Sequence, residues 1–322
     1  MSRVDTAWLR MDNDVNLMMI VGVWLLRPAV TMDMLRERIA DKLLKYERFR
    51  QKAVIDTIGA VWVDDEHFDI ARHVAPKSLH PEPGESPRQA LQRTCGDLAM
   101  TPLDPRHPLW QFHLVEDYDG GSAIIARIHH CIGDGIALIS VMLSITDGGI
   151  DPPQAHKKHH DDDAADHDWL ADAVLKPLSD LASKAIAMYG GGLVKAADML
   201  AGPQQPLLGS KDMARTGLKV VNDVAALALM PDDSPTLLKG KPKGRKVVAW
   251  SEPMSLEHVK TIGKGLGCTV NDVLLSCVAG AIGDYLLAQG QDPAGKEIRA
   301  MVPVNLRPLE KAWQLGNRFG LA

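Results

Sequence analysis

Two adjacent histidines, His129 and His130, are followed after three residues by Asp134, which has a glycine on either side. Imidazole is the side chain that most often serves as a general base near neutral pH. A neighbouring carboxylate can orient such a histidine, or can hold a loop by pairing with an arginine. The spacing therefore predicts that one histidine transfers a proton; the alternative is a pair of structural histidines beside a turn.

The element before the histidines decides which of them faces a site. Residues 123–128 form an apolar run, which predicts a largely buried strand. Successive side chains of a strand point to opposite faces, so the two histidines cannot both serve one site. His129 shares its face with Arg127, whereas His130 continues the apolar face, which carries Ile124, Ala126 and Ile128. Because burial keeps an imidazole neutral, His130 is the predicted general base.

The loop after the histidines is expected to turn tightly. Gly133 and Gly135 permit a tight turn with positive φ angles and a close approach of a substrate to the backbone. Residues 136–145 are apolar or small over a helical length and end near Asp147-Gly148-Gly149, which predicts a helix. From the residues alone, Asp134 orients a histidine or locks this loop through an arginine.

The motif resembles the HHxxxDG signature of the CoA-dependent acyltransferases, a superfamily that includes chloramphenicol acetyltransferase and peptide-synthetase condensation domains. Other segments resemble one branch of it, the bacterial wax ester synthase/diacylglycerol acyltransferases. In chain order they are Asp5-Thr6-Ala7-Trp8-Leu9-Arg10-Met11-Asp12 with Asn16-Leu17-Met18-Met19-Ile20, Pro108-Leu109-Trp110, Asn271-Asp272, Pro303-Val304-Asn305-Leu306-Arg307-Pro308 and Gly316-Asn317-Arg318-Phe319-Gly320. Their joint order is more specific than any one segment.

The resemblance implies an α+β fold of the chloramphenicol acetyltransferase type, with two similar halves of mixed sheets and helices and the site between them. It implies that residues 1–150 form the N-terminal half carrying HHxxxDG, and that residues 245–322 are the start of a second half, incomplete in this sequence. It also implies a reaction in which His130 deprotonates the hydroxyl of diacylglycerol or a long-chain alcohol. The oxygen then attacks a fatty acyl-CoA, the cosubstrate, with no acyl-enzyme, metal or other cofactor.

Roles for further residues follow from the same resemblance. Asp134 is expected to be structural and to pair with Arg307, since condensation-type relatives place an arginine there, and His129 is expected to support the loop. A set of possible channel or interface residues comprises Pro108, Leu109, Trp110, Asn271 and Asp272. For Asn271, a role as N-cap of the following helix is the equal alternative. Cys131 falls at a variable motif position, so a small buried filler is expected rather than a nucleophile.

Composition narrows the class of protein. A net charge of −5 argues against a nucleic-acid footprint. The four cysteines show no CxxC spacing and no signal peptide precedes them, which favours the cytoplasm. The best apolar runs, residues 17–26 and 136–145, fall short of the roughly 20 residues that cross a bilayer. Any contact with the inner membrane or with lipid bodies is therefore expected to be peripheral.

The chain changes character at residues 151–244. A polar tract of histidines and aspartates opens this region, and its spacing fits no closed zinc site. A mobile linker followed by amphipathic helices is expected, the helices packing over the first domain rather than lying on a membrane. A basic, glycine-rich hinge at residues 239–245 ends the region, and the Gly-rich residues 263–267 are interpreted as a helix end rather than a phosphate loop.

The coarse pattern mixes strands and helices. Strands are expected at residues 17–26, 61–63, 68–74, 111–116, 122–130, 246–251 and 297–303, with a hairpin around residues 117–121. Helices are expected at residues 32–46, 86–100, 136–145, 255–267 and 270–289. Two other functions stay open: a condensation-type catalyst that acylates amines, and a lipid-binding protein without turnover.

Overall fold

The computed structural model describes residues 1–56, 59–146, 233–241, 243–300, 302–305, 315–317 and 319–321. Most of the expected linker, including its polar tract and amphipathic helices, lies outside the described residues. Arg307 lies outside them as well, so its expected pairing with Asp134 stays a prediction.

The first part of the chain alternates helices and strands. In order these are α1 (Arg3–Met11), β1 (Met19–Leu26), α2 (Met32–Lys42), two 3-10 turns (Leu43–Lys45 and Glu47–Phe49), β2 (Gln51–Ile55), β3 (Ala60–Asp64), α3 (Ile70–His73), β4 (Val74–Pro76), α4 (Pro87–Ala99), β5 (Trp110–Tyr118), β6 (Gly121–His129) and α5 (Gly135–Ser144). After residue 232 come α6 (Leu256–Leu266), α7 (Val270–Ala288), β7 (Pro303–Asn305) and β8 (Phe319–Leu321). Caps at Thr31, Ser86, Asp134, Ser255 and Thr269 begin the longer helices after α1, as their side-chain oxygens satisfy free backbone N–H groups.

A four-stranded sheet in the order β1-β6-β5-β4 carries the histidine motif. Its central strand β6 pairs antiparallel with both β1 and β5, and all nine residues of β6 are buried. The predicted hairpin between β5 and β6 is confirmed, and it turns at Asp119 and Gly120, which both have positive φ. Two such residues are typical of the type I′ turn that joins antiparallel strands.

The two faces of β6 pack against different partners, as the alternation predicts. One face places Ile124, Ala126 and Ile128 in a core with α2 and α5. The opposite face packs Ile125 against a second cluster built on α4. Because both faces of β6 are packed against buried side chains, the loop that follows β6 starts from a fixed position in the core.

Several boundaries differ from expectation. Residues 70–73 of the expected strand at 68–74 form the short helix α3, because Asp69 caps it by accepting a hydrogen bond from the backbone N–H of Ala71. Residues 246–251 are not a strand; Val248 and Trp250 pack beside α4 without joining a sheet ladder. Near residues 297–303, the strand found is β7, at Pro303–Asn305. The helix end expected at residues 263–267 is confirmed, with Gly267 in the left-handed conformation as C-cap.

Helix α7 corrects the expectation that no stretch is long enough to cross a bilayer. Among the described residues it is the one helix whose 19-residue length and mean hydropathy of 1.4 would allow a span, by length and composition only. The expectation failed because it considered only uninterrupted apolar runs. Polar residues such as Asp272 and Asp284 interrupt the apolar sequence of α7, so no long run was found there.

Candidate active site

The histidine loop is fixed at its start by backbone hydrogen bonds from both sides. The N–H of His129 donates to the carbonyl of Leu109 at 2.9 Å, and that of His130 donates to the carbonyl of Met18 at 2.8 Å. Ile132 closes the turn by donating to the carbonyl of His129 at 3.0 Å. The loop therefore emerges between the segment entering β1 and the segment entering β5.

His129 is buried and has no lone pair available for a substrate. Its Nδ1 accepts a hydrogen bond from the backbone N–H of Cys131 at 3.1 Å. A neutral imidazole has one acceptor nitrogen, so Nε2 carries the proton, and it points toward the Asp12 carboxylate 3.7 Å away. Burial lowers the pKa of His129, with Asp12 opposing the shift, which favours this neutral form. The arrangement supports the loop.

His130 presents its ring differently. The imidazole stacks on the indole of Trp8, with centroids 4.3 Å apart and planes inclined by 12°. Its Nδ1 is buried and has no hydrogen-bond partner among the described residues. Burial lowers the pKa of His130 below its usual value, while Asn317 and Asp134 act in the opposite direction. The shift has the direction expected for a base that is neutral at pH 7.

Asp134 begins helix α5. Its Oδ1 accepts a hydrogen bond from the backbone N–H of Ala137 at 2.9 Å, the geometry of an N-cap. The local alternative partner, Arg127, is buried on the other face of the sheet and donates to Gln111 Oε1 and to the carbonyl of Thr101. The carboxylate is therefore placed as a structural element of the loop by its cap to α5.

The two glycines of the motif do not have the expected positive φ. Gly133 instead lies beside the segment at residues 315–317, where it forms an isolated parallel bridge with Gly316. A Cβ at Gly133 would lie 3.4 Å from Leu315 Cδ2, so the small residue permits this close approach. Gly135 has open space where a Cβ would stand, next to the cavity described below. Gly133 therefore allows another segment to approach closely and Gly135 leaves space open, and neither has the positive φ of a glycine turn.

Cys131 is fully buried, and burial raises the pKa of its thiol. A nucleophilic cysteine needs the opposite shift and some exposure. This placement favours the expected role as a filler.

The remaining predicted residues fall in two places. Pro108, Leu109 and Trp110 are buried in the core, where Trp110 Nε1 donates to the carbonyl of Phe49 at 2.8 Å. They hold the strand that pins His129 and are not among the residues that line the cavity described below, and their expected channel or interface role stays a prediction. Asn271 is not the N-cap of α7, since Thr269 is, and Asp272 completes a capping box with Thr269.

A buried polar cluster under the loop was not predicted as part of the site. Asp5 accepts hydrogen bonds from Arg48 Nη1 at 3.1 Å and from Asn317 Nδ2 at 2.8 Å. Arg48 also donates to the carbonyl of Ile132, and Asn317 Nδ2 to the carbonyl of His130, at 3.1 and 2.8 Å. Asp5 and Asn317 belong to segments that carried the family resemblance, although no role was assigned to them there. No feature of the sequence pointed to Arg48.

A cavity of about 1200 Å³ runs along the apolar face of the sheet. Its walls come from β1, β6, α2 and α5, and they include Ile20, Trp24, Ala126, Ile128, Leu138 and Met142. These walls contain Ile128, two residues before His130, and Gly135, which follows the motif aspartate. The cavity therefore uses the face of β6 that carries Ile124, Ala126 and Ile128, in the strand that leads into His130. Its volume exceeds the roughly 300–1000 Å³ of ordinary small-molecule pockets.

Comparison with known proteins agrees with this geometry. Residues 1–274 match the family model described as the wax ester synthase/diacylglycerol acyltransferase catalytic domain. A probable diacylglycerol O-acyltransferase of Mycobacterium tuberculosis, tgs1, is 26% identical over 300 residues, which are 91% of this chain and 58% of the relative. A second, tgs2, is 30% identical over 262 residues, 80% of this chain and 52% of the relative. The chain thus spans little more than half the length of these relatives.

A solved structure shows the same fold. The wax ester synthase/diacylglycerol acyltransferase from Marinobacter aquaeolei VT8 matches with a TM-score of 0.53 at 17% identity, over 93% of this chain and 62% of that chain. At this identity the match speaks for the fold alone. The expected α+β class is confirmed, and the fold is that of a wax ester synthase/diacylglycerol acyltransferase.

Proposed function

Because the chain belongs to the wax ester synthase/diacylglycerol acyltransferase family, we propose that it transfers a long-chain fatty acyl group from acyl-CoA to a hydroxyl. The acceptor is diacylglycerol or a long-chain alcohol, and the product is triacylglycerol or a wax ester. The observation that carries the proposal is the position of His130 in the chain, directly after strand β6, whose residues Ile124, Ala126 and Ile128 line the apolar cavity.

The reaction needs one base, and His130 supplies it. Its neutral imidazole takes the proton from the acceptor hydroxyl as the oxygen attacks the thioester carbonyl. The tetrahedral intermediate then collapses, the carbon–sulfur bond breaks, and the leaving thiolate recovers the proton from the imidazolium to give free CoA. His129 does not compete for this role, because its acceptor nitrogen is already bonded to the N–H of Cys131.

The cavity suits an acyl chain. Apolar side chains from two strands and two helices line it, and burying a chain there gains roughly 0.8 kcal/mol for each CH₂ removed from water. Charged residues near one part of its wall, among them Arg27, Arg38 and Asp41, give that part a polar border. A long acyl chain therefore has an apolar site of sufficient volume, whose walls include Ile128 and Gly135 from either side of the histidine motif in the sequence.

The acceptors dissolve in membranes, which bears on where the enzyme acts. Diacylglycerol and long-chain alcohols reside in bilayers and lipid bodies, so we place the protein in the cytoplasm, working at the inner membrane or at lipid-body surfaces. The exposed apolar residues of α7, such as Leu275 and Val278, are available for such a contact.

Ester synthesis by the purified 322-residue chain tests the proposal. The protein is incubated with palmitoyl-CoA and either dioleoylglycerol or hexadecanol in mixed micelles, and esters are measured by mass spectrometry alongside CoA release. We expect ester and CoA in equal amounts, and neither above background with His130→Ala.

Two other results would each contradict the proposal. Acylation of an amine acceptor in preference to both alcohols would favour a condensation-type catalyst. Binding of palmitoyl-CoA without any product would favour a lipid-binding protein.

A further inference from the structure

Asn317 is joined to the backbone of the residue assigned as the base. Its side-chain nitrogen donates to the carbonyl of His130 and to Asp5 Oδ1, both at 2.8 Å. Its backbone N–H donates to Asp5 Oδ1 at 3.1 Å, and the residue is 5% exposed. Reversing the amide would set its oxygen against two acceptor oxygens, so this orientation of the side chain is fixed.

The fixed orientation leaves a buried acceptor without a partner. Asn317 Oδ1 has no hydrogen bond within the described part of the chain, and neither has His130 Nδ1. An unpaired buried polar group costs on the order of 1–3 kcal/mol, so such atoms are rare unless function retains them. The two atoms belong to residues that are already in contact through the Asn317 amide nitrogen.

The neighbouring chain segment is built to hold Asn317 at this place. Gly316 forms the parallel bridge to Gly133 and donates its N–H to the carbonyl of Ile132 at 3.1 Å. Its φ of +111° is a backbone angle that residues other than glycine rarely adopt, and a Cβ there would stand 3.4 Å from Arg48 Nη1. Beneath it, the ion pair between Arg48 and the fully buried Asp5 anchors the asparagine. The position of Asn317 is therefore set by the fold.

We propose that Asn317 is a positioning residue that accepts a hydrogen bond from Nδ1–H of His130 and so fixes the tautomer whose free Nε2 lone pair takes the substrate proton. The proposal rests on the proposed function of His130 as the base. A neutral imidazole carries its proton on one nitrogen only, and a residue bonded to Nδ1–H leaves Nε2 as the acceptor. The stacked indole of Trp8 holds the plane of the ring, and Asn317 fixes the edge that faces inward.

The charge environment allows the pH dependence to be worked out. The ionisable groups around the loop are His129, Asp134, Asp5, Asp12 and Arg48. Asn317→Ala leaves all of these ionisable groups in place. The variant loses an acceptor that also stabilises the imidazolium, so the pKa of His130 falls further. The acidic limb of the rate profile then moves to lower pH.

Histidine-selective ¹⁵N NMR of the full chain tests the proposal, with the His130 signals assigned from a His130→Gln spectrum. In the wild type we expect Nδ1 protonated and Nε2 unprotonated at neutral pH, whether or not the protein makes esters. Asn317→Ala is expected to shift His130 toward the Nε2–H form. In the ester assay it should lower kcat roughly 10- to 100-fold with little change in KM.

Asn16→Ala, at an exposed asparagine outside the polar cluster, is the matched control. It should leave both the His130 tautomer and the acidic limb at their wild-type positions. A wild-type spectrum with Nε2–H would overturn the proposal even if Asn317→Ala does not fold. An unchanged tautomer and pH profile in a folded Asn317→Ala variant would overturn it too. Failure of the proposed function would show differently, as absent ester synthesis with the predicted tautomer intact.

Discussion

The indole of Trp8 lies flat against the imidazole of His130, with 4.3 Å between the ring centroids. Helix α1 carries the indole, and the imidazole directly follows strand β6, so this contact joins the first helix of the chain to the histidine loop. Stacked aromatic pairs contribute about 0.5–1.5 kcal/mol beyond the area that they bury. The stack also removes water from one side of the base, and burial is the largest cause of its lowered pKa.

Replacing Trp8 should therefore change the pH dependence of the reaction. In Trp8→Ala the imidazole regains water, its pKa rises toward the ordinary value, and the acidic limb of kcat/KM moves to higher pH. This is the opposite direction from Asn317→Ala. Trp8→Phe keeps a stacked ring and should stay closer to the wild type. A limb that moves to lower pH in Trp8→Ala would contradict the role given to the stack.

The buried histidines predict a loss of stability in mild acid. Burial, with Arg127 and Lys77 adding to it, lowers the pKa of His113 from 6.5 to about 4. Below pH 6.5 the unfolded chain binds a proton at this position that the folded chain excludes, so stability falls as the pH drops from 6.5 toward 4. The full shift corresponds to about 3 kcal/mol. His73, His129 and His130 have lowered pKa values and act in the same direction.

Chemical denaturation between pH 7 and pH 4 measures this slope. His113→Gln should flatten it, and His80→Gln, at an exposed position, is the matched control. The same slope in His113→Gln as in the wild type would show that this histidine protonates freely in the folded protein.

Two substitutions of Asp134 separate its cap from its charge. Asp134→Asn keeps an N-cap oxygen, whereas Asp134→Ala removes it from the N–H of Ala137. The alanine variant should be less stable than the asparagine variant by about 1 kcal/mol in urea unfolding. Loss of a buried ion pair with Arg307 would add about 3–5 kcal/mol to both variants relative to the wild type. Equal stability of the two variants would contradict the cap.

Filling the cavity should discriminate between acyl chains. Ile139 is half-exposed on α5 and contributes to the cavity wall, so Ile139→Trp adds volume with little risk to folding. We expect kcat/KM to fall for palmitoyl-CoA and to change little for butyryl-CoA. Val54→Trp makes a similar change on β2, away from the cavity walls, and serves as the control. Equal effects on both thioesters would place the acyl chain elsewhere.

Much of the site was predictable because it depends on local pattern. The alternation of residues 123–130 assigned the faces of β6, and the Asp-Gly turn marked the hairpin, since period and turn chemistry are local properties. Gly133 and Gly135 do not have the positive φ angles that a tight turn would need, because what a glycine permits depends on the segment that approaches it. Asn317, which lies 187 residues from His130, could not be placed there without the fold.

The helix caps divide in the same way. The helices expected from residues 32 and 86 begin within one residue of those positions, because a few consecutive residues around the caps Thr31 and Ser86 determine where a helix starts. Asn271 was weighed as a cap, yet Thr269 fills that place with Asp272 as its partner. The expectation that no stretch is long enough to cross a bilayer overlooked the length and composition of α7, because a helix tolerates spaced polar residues that interrupt an apolar run.

Ester synthesis by matched alanine variants of the two histidines tests the central claim most directly. His130→Ala removes the base and should lower kcat by at least roughly 10²-fold, the usual contribution of general base catalysis. His129→Ala loses the acceptor for the N–H of Cys131 and the ring beside Asp12, but not the proposed base, and should keep measurable activity, with His129→Asn closer to the wild type. Equal losses in both alanine variants, each shown to be folded by circular dichroism, would contradict the assignment of His130 as the base.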